Sequence, residues 1–323
     1  MMEQIIEPVD KFLLKKELNK SKFIRYTNNG NNEIYIVSGY DSPNVLRELG
    51  RLREVTFRRA GGGTGKSIDL DEFDVGKNCY LQLIVWDPAN KEILGGYRYI
   101  HCSGLEKDAH GEVPLATAHL FNFSDEFISD YLPSVIELGR SFVQPDYQST
   151  KVGSKALFAL DNLWDGLGAL MIDYPEVQYF FGKVTMYTHY NEEARNMILH
   201  FFSKFFSDPD HLVWAKKPMV YQPDQKKLEE LFDGKDYEAA YKILSQEVRK
   251  LGENIPPLIN AYMNLTPNMR TFGTAISDEF GDVEETGIML SIEDIYDIKI
   301  DRHVSTYLEE LVEKEDNPKM RFQ

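Results

Sequence analysis

Apolar and polar positions along this chain recur with two periods, and the places where the period changes mark its elements. From Glu33 to Ser38 they alternate, as in a strand with one buried face, behind a turn supplied by Asn28 to Asn32. Residues 8–18 are helix-compatible. Ser42-Pro43 reads as a helix start, with serine as cap and proline in the first turn, and Leu46, Leu49, Leu52 and Phe57 follow on one face until the glycines near 61 stop it. Two strands come next, Tyr80–Trp86 and Ile93–His101, joined by a turn of hairpin composition, Asp87-Pro88-Ala89-Asn90. Beyond a longer connection, 102–133, the apolar run Val135, Ile136, Leu138, Phe142 and Val143 predicts a strand that carries Glu137 and Arg140 and ends at Pro145. A helix from Ser154 to Leu170, a strand Tyr179–Tyr187 and a helix from near Asn191 to Phe206 complete the first part. Residues 207–260 read as helical and insert-like, and Met269–Ile276 and Thr286–Leu290 as two more strands. Strands and helices in this order predict an α/β fold, a mixed sheet with helices on both faces and a helical insert. The expected organisation is a core over 1–206, the insert over 207–254, a C-terminal part over 255–308 completing the same domain, and a flexible tail over 309–323.

Composition narrows the class. The chain has 323 residues, 42% of them hydrophobic and 12% aromatic, which is enough for a sizeable core. No apolar run reaches the roughly 18 residues that cross a bilayer, and the N-terminal stretch lacks a basic region followed by an apolar one. Cys79 and Cys102 fall on predicted strands as small buried hydrophobes. The expected setting is a reducing cytoplasm, with the inner face of the membrane as a second place of work. Lys and Arg number 36 against 52 Asp and Glu, a net charge of −16 that disfavours nucleic acid as a partner. A local exception is the cluster Arg47, Arg51, Arg53, Arg58, Arg59 and Lys66, set against Glu48 and Glu54. It reads first as a solvated helix face.

Three motifs carry possible chemistry. Ala60 to Ser67 satisfies a loose phosphate-loop pattern but follows a helix where such a loop must follow a strand, so it reads as an ordinary loop. Asp69, Asp71, Glu72 and Asp74 could bind a hard cation or join a charge network with the nearby arginines; they lack the spacing of a calcium loop. Glu137 and Arg140, three apart on one strand, should point to opposite faces, and Glu137 is a candidate general base. Backbone N–H groups from about Thr150 to Gly153, ahead of a helix, form a candidate anion site.

With these residues in view, a resemblance emerges. Glu137-Leu-Gly-Arg140, Val143-Gln-Pro-Asp-Tyr-Gln148 and the helix after them are similar to motif A of the GNAT acyltransferases, whose turn binds the phosphates of an acyl carrier. Arg53 through Phe57, Leu70 through Asp74, Gly95-Gly96-Tyr97-Arg98 and Glu137 through Arg140 resemble, in order and spacing, the acyl-homoserine-lactone synthases and their lipid-forming relatives, the ornithine and glycine acyl-ACP N-acyltransferases of the hemolysin-labelled family. Ile255-Pro-Pro-Leu-Ile-Asn-Ala-Tyr262 resembles a segment of the lipid branch alone. The resemblance implies a GNAT-like, mostly antiparallel sheet. It also implies an N-acyltransferase that moves a long, 3-hydroxylated or plain, acyl chain from acyl-ACP to the α-amine of a small amino acid such as glycine or ornithine, without a metal.

In that reading Glu137 is the base, backbone N–H groups near Phe142 and Val143 hold the carbonyl, Arg98, Asp71 and Asp74 order the acceptor side, and Arg53 orders the helix over it. Gln148, Lys151, Val152 and Gly153 face the phosphopantetheine, and Arg47, Arg51, Arg58, Arg59 and Lys66 dock the acidic carrier. The chain departs from the common pattern in three places. Lys151 stands where a glycine is usual, which favours a carrier protein over CoA. Ile198 stands where many acetyltransferases have a tyrosine acid, so either the thiolate leaves unassisted or Tyr187 or Tyr190 substitutes. The third is the 207–254 insert, to which the pattern assigns no function. An acetyl-CoA-dependent N-acetyltransferase and a non-catalytic binding module are the alternatives.

Overall fold

The computed structural model describes residues 2–76, 79–108, 111–148, 154–221 and 223–316, the side chains of 154–157 and 314–316 excepted. By contacts the chain divides into two compact units, 1–101 with 136–178 and 295–323, and 102–135 with 179–294.

In the first unit helix α1 (Lys11–Glu17) leads to strands β1 (Phe23–Tyr26) and β2 (Glu33–Val37), helix α2 (Pro43–Arg59), strands β3 (Leu81–Asp87) and β4 (Glu92–His101) and, after the other unit is entered and left, strand β6 (Val135–Val143) and helix α3 (Ser154–Asp173). The strands run in the order β1-β2-β3-β4-β6, every neighbour antiparallel. β3 shows why helices lie on both faces. Leu83 points at α3, where Gly166 makes room for it: a Cβ there would come within 2.6 Å of Leu83 Cδ2. Gln82, its neighbour and therefore on the other face, bonds Arg53 of α2. Both faces of β3 are thus covered, and its residues after Leu81 are all buried.

Two glycines bring the 68–74 loop down on this face. A Cβ on Gly50 of α2 would come within 2.6 Å of Ile68 Cγ1, and one on Gly39 within 2.8 Å of the Asp74 carbonyl oxygen. The loop that carries the aspartates is therefore seated against α2. The unit closes with helix α8 (Asp297–Ile300), one irregular turn, and α9 (Thr306–Asp316), so the first part of the segment expected to fray is helical.

In the second unit, strands β7 (Tyr179–Met186), β10 (Val283–Ser291) and β9 (Arg270–Ser277) pair antiparallel in that order. β5 (Phe121–Phe123) pairs with β8 (Val213–Ala215). Both short strands lie where a connection and a helical insert were expected. Helix α4 (Glu192–Phe205) is capped by Asn191, whose side chain accepts from two backbone N–H groups. Helices α5 (Gln225–Phe232) and α6 (Tyr237–Lys250) seat the 207–254 segment on α4 through rings: Phe201 lies 5.7 Å from Phe232 and 5.6 Å from Tyr237 between centroids. Helix α7 (Pro257–Met263) opens on the double proline and is tied to α6 by Tyr241, which donates to Asn260. No described helix is long and apolar enough to cross a membrane.

Candidate active site

Four segments of the first unit bring the charged residues together. α2 contributes Arg53, the 68–74 loop contributes Asp69, Asp71 and Asp74, β4 contributes Arg98, and β6 contributes Glu137 and Arg140. Arg53 and Asp74 are buried and paired at 2.9 Å. Gln82 bridges them, accepting from Arg53 and donating to Asp74 Oδ1 at 3.1 Å. Arg98 Nη1 lies between Asp71 Oδ1 at 2.6 Å and Asp74 Oδ2 at 3.1 Å. Asp71 also meets Arg140 Nη2 at 3.4 Å, and Arg140 Nε donates to Asp69 Oδ1 at 3.1 Å. Three guanidiniums and three aspartates therefore form one balanced chain of charge-assisted bonds. Of the two readings open to the acidic run, cation ligands or charge network, the network describes Asp69, Asp71 and Asp74 here.

Burial alone would raise the Asp74 carboxyl, but the Arg53 and Arg98 guanidiniums outweigh it and hold the group well below the usual carboxylate range. Burial likewise lowers Arg98, and Asp74 and Asp71 reverse that, so it stays charged at any working pH. The Arg98 guanidinium lies beside two rings that meet edge to face, 5.6 Å from the centroid of Phe73 and 5.3 Å from that of Tyr80. Tyr80 in turn donates its hydroxyl to the buried carboxylate of Glu137. Glu137 is thereby joined to the arginine network through one ring.

β6 does not hold Glu137 and Arg140 on a regular strand. Gly96 pairs with Phe142 and Arg98 with Gly139, so Arg140 and Ser141 together oppose Tyr97 in a bulge. Arg140 takes φ 49° there, in the left-handed region. The expected separation of the two residues onto opposite faces presumes a regular strand; with the bulge, Arg140 shares Asp71 with Arg98. Arg98 packs over Gly139, where a Cβ would stand 3.4 Å from its Nε, an ordinary van der Waals contact.

Phe142 and Val143 lie at the end of β6. Gln144 N–H bonds the Leu94 carbonyl, so by antiparallel alternation Phe142 faces β4 with its N–H and Val143 directs its N–H away. Gln148 is occupied locally, its Nε2 donating to the Val143 carbonyl at 2.6 Å. Lys151, Val152 and Gly153 fall outside the described residues.

Of the expected basic dock, Arg51 is paired with Glu48 and Arg58 with Glu54, while Arg47, Arg59 and Lys66 are exposed. The glycine loop after α2 resembles a phosphate loop for a local reason. Its Thr64 and Gly65 N–H groups point at the Glu54 carboxylate, at 3.1 and 2.9 Å, so the anion it cradles is its own.

In the second unit Ile198 is fully buried in α4, a core position. Tyr187 and Tyr190 line a cleft of about 630 Å³ together with Arg195, Lys217, Met219 and Tyr221. Burial, and after it Glu285, pushes the Tyr187 hydroxyl up to about 12, which keeps it a proton donor. Sequence reading passed over Tyr80 and Gln82. The signal for Gln82 was present, an amide in the middle of the apolar run Leu81 to Trp86, and a polar side chain there needs a buried partner.

Residues 52–157 match a family model described as an acetyltransferase (GNAT) domain. That span contains every charged residue of the network. The chain is also 56% identical over 309 residues to a glycine N(alpha)-acyltransferase of Phocaeicola vulgatus, covering 96% of this chain and 95% of that protein. It is 56% identical over 308 residues to a glycine N(alpha)-acyltransferase of Bacteroides thetaiotaomicron, covering 95% and 91%. With identity at this level along nearly the whole length, this chain is a GNAT-type acyltransferase, uses an acyl thioester as donor, and belongs to the family of those two proteins.

Proposed function

We propose that this enzyme transfers a long acyl chain from the phosphopantetheine thioester of an acyl carrier protein to the α-amine of glycine. The observation that carries the reading is the buried network from Asp69 to Gln82, joined through the Arg98 and Tyr80 contact to the carboxylate of Glu137. Glycine is supported over ornithine by what both relatives are named for.

The acceptor nitrogen attacks the thioester carbonyl carbon; a C–N bond forms and the C–S bond breaks. Of the two protons the glycine ammonium gives up, one leaves with the pantetheine thiol and one passes through Glu137 to solvent. Arg98 Nε is buried without a hydrogen-bond partner and is a spare donor for the glycine carboxylate. Val143 N–H, directed away from β4, is the donor for the carbonyl oxygen as charge develops. Lys151 meets the single phosphate of the pantetheine as a point charge. The test is a product assay. Purified protein is given acyl carrier proteins loaded with plain and 3-hydroxylated chains and a mixture of amino acids, and products are read by mass spectrometry. N-acylglycine is the expected product, and an N-acylornithine or no amide at all would overturn the assignment.

A second reading, an acetyl-CoA donor, is favoured by the description of the family model. Tight acetyl-CoA binding in a calorimeter, with no turnover of carrier-bound chains, would establish it.

A further inference from the structure

We infer that Tyr80 is a positioning residue for the transfer: its hydroxyl holds the Glu137 carboxylate in the orientation that takes the acceptor's proton. The inference rests on the assignment of Glu137 as the base. Register brings the two together. Arg98 pairs with Gln82, and Ile100, two residues further along β4, pairs with Glu137. Side chains alternate between the faces of a sheet and directly paired residues share a face, so Gln82, Arg98 and Glu137 stand on the same one. Tyr80 lies two residues before Gln82, just ahead of β3, and its hydroxyl reaches Glu137 Oε2 on that face.

The tyrosine is fixed on every side before its hydroxyl is counted. Its backbone N–H donates to the Phe73 carbonyl at 2.7 Å, and its own carbonyl accepts from Gln82 Nε2 at 3.2 Å. Its ring meets that of Phe73 at 76°, with 5.5 Å between centroids, and lies 5.3 Å from the Arg98 guanidinium. A phenylalanine would make all of these contacts equally well. What the hydroxyl adds is one donor in a fully buried place, and it is given to the carboxylate. A glutamate side chain has several staggered positions open to it, and a base is effective only with its oxygen within hydrogen-bond reach of the proton it takes. A donor on an immobile ring selects one of those positions. The same ring borders Arg98, to which the reading above gives the acceptor's carboxylate, so one side chain sets the spacing between the acceptor's anchor and the base.

The test is Tyr80→Phe, which removes the hydroxyl and keeps the ring. Its kcat for N-acylglycine formation should fall about tenfold to a hundredfold. KM for glycine and for the thioester should stay at the wild-type values, since the ring still borders Arg98. Added to Glu137→Gln, the same substitution should cost nothing further, because it acts only through the carboxylate. Full-length enzyme carrying 3-fluorotyrosine at position 80, where a hydroxyl still donates, should recover most of the rate. An enzyme of that kind as slow as Tyr80→Phe would overturn the inference. So would a raised KM and a lowered melting temperature with kcat unchanged, which would make Tyr80 a packing residue. A second loss of the same size in the Glu137→Gln background would also overturn it, by showing that Tyr80 acts without the glutamate. Full activity of Glu137→Gln alone would remove the base assignment itself, a result distinct from a fully active Tyr80→Phe beside an inactive Glu137→Gln, which would overturn only the role of Tyr80.

Discussion

The two units handle buried charge in opposite ways. In the first, carboxylates are shared: Asp71 serves Arg98 and Arg140, and Asp74 serves Arg53, Arg98 and Gln82. Those partners come from α2, a loop, β3, β4 and β6, so no one element holds the arrangement. In the second unit charges pair within a short distance along the fold. Glu285 takes Lys183 and Thr185 of the neighbouring strand, and Glu284 takes Arg195. A shared network fixes the relative positions of many segments at once, whereas a local pair fixes two. The first arrangement suits a site whose reacting groups must keep their spacing.

The comparison can be broken or sharpened by substitution. The largest effect is expected from Glu137→Gln, which keeps the Tyr80 contact but removes the base. Its kcat should fall by about 10² to 10⁴ with little change in melting temperature, and an unchanged kcat would place the chemistry elsewhere. Next in size, Asp74→Asn leaves two guanidiniums facing a neutral amide in a dry site and should cost about 3–5 kcal/mol in urea unfolding. Glu284→Gln in the second unit should cost about 1–3 kcal/mol. Equal costs would erase the distinction between shared and local charge. A sharper probe is a double-mutant cycle. Arg53→Met and Asp74→Leu should be non-additive by about 1–3 kcal/mol, because removing either member already strands the other. Additive losses would mean the network is only a set of neighbours.

The smallest effect follows from acid. Asp74 has its folded-state pKa held below the ordinary value of about 3.9, so its contribution is complete above that pH and is lost progressively as pH falls beneath it. Stability measured from pH 5 downward should therefore decline more steeply in the wild type than in Asp74→Asn. Parallel curves would deny Asp74 this role.

The same distinction decides what could be read from the sequence. Elements whose faces are set by apolar period were legible: the apolar run from Val135 to Val143, ended by Pro145, lies on β6, and Ser42-Pro43 marked the start of α2. β1 was missed because its four residues include Arg25, fully buried among partners nearly three hundred residues away, such as the His303 carbonyl at 2.9 Å. β5 and β8 are three residues each, too short to show a period. In the candidate site, Glu137 stood out as a charge on an apolar run, whereas Arg53, Asp71, Asp74 and Arg98 were given site roles through the resemblance. The link that unites them was not legible, because the Tyr80 hydroxyl and the bulge at Arg140 are properties of register. A sequence states which residues lie on a strand, and only the pairing states which of them meet.

The backbone at Arg140 has one more consequence. A side chain held in the left-handed region costs on the order of 1 kcal/mol that glycine would not incur. Glycine here would relieve that strain but leave the fully buried Asp69 carboxylate without its Arg140 partner, a loss of about 3–5 kcal/mol that outweighs the gain. A laboratory selection for heat resistance alone would therefore keep the arginine, and the strained backbone at this residue is held in place by the charge that its side chain neutralises.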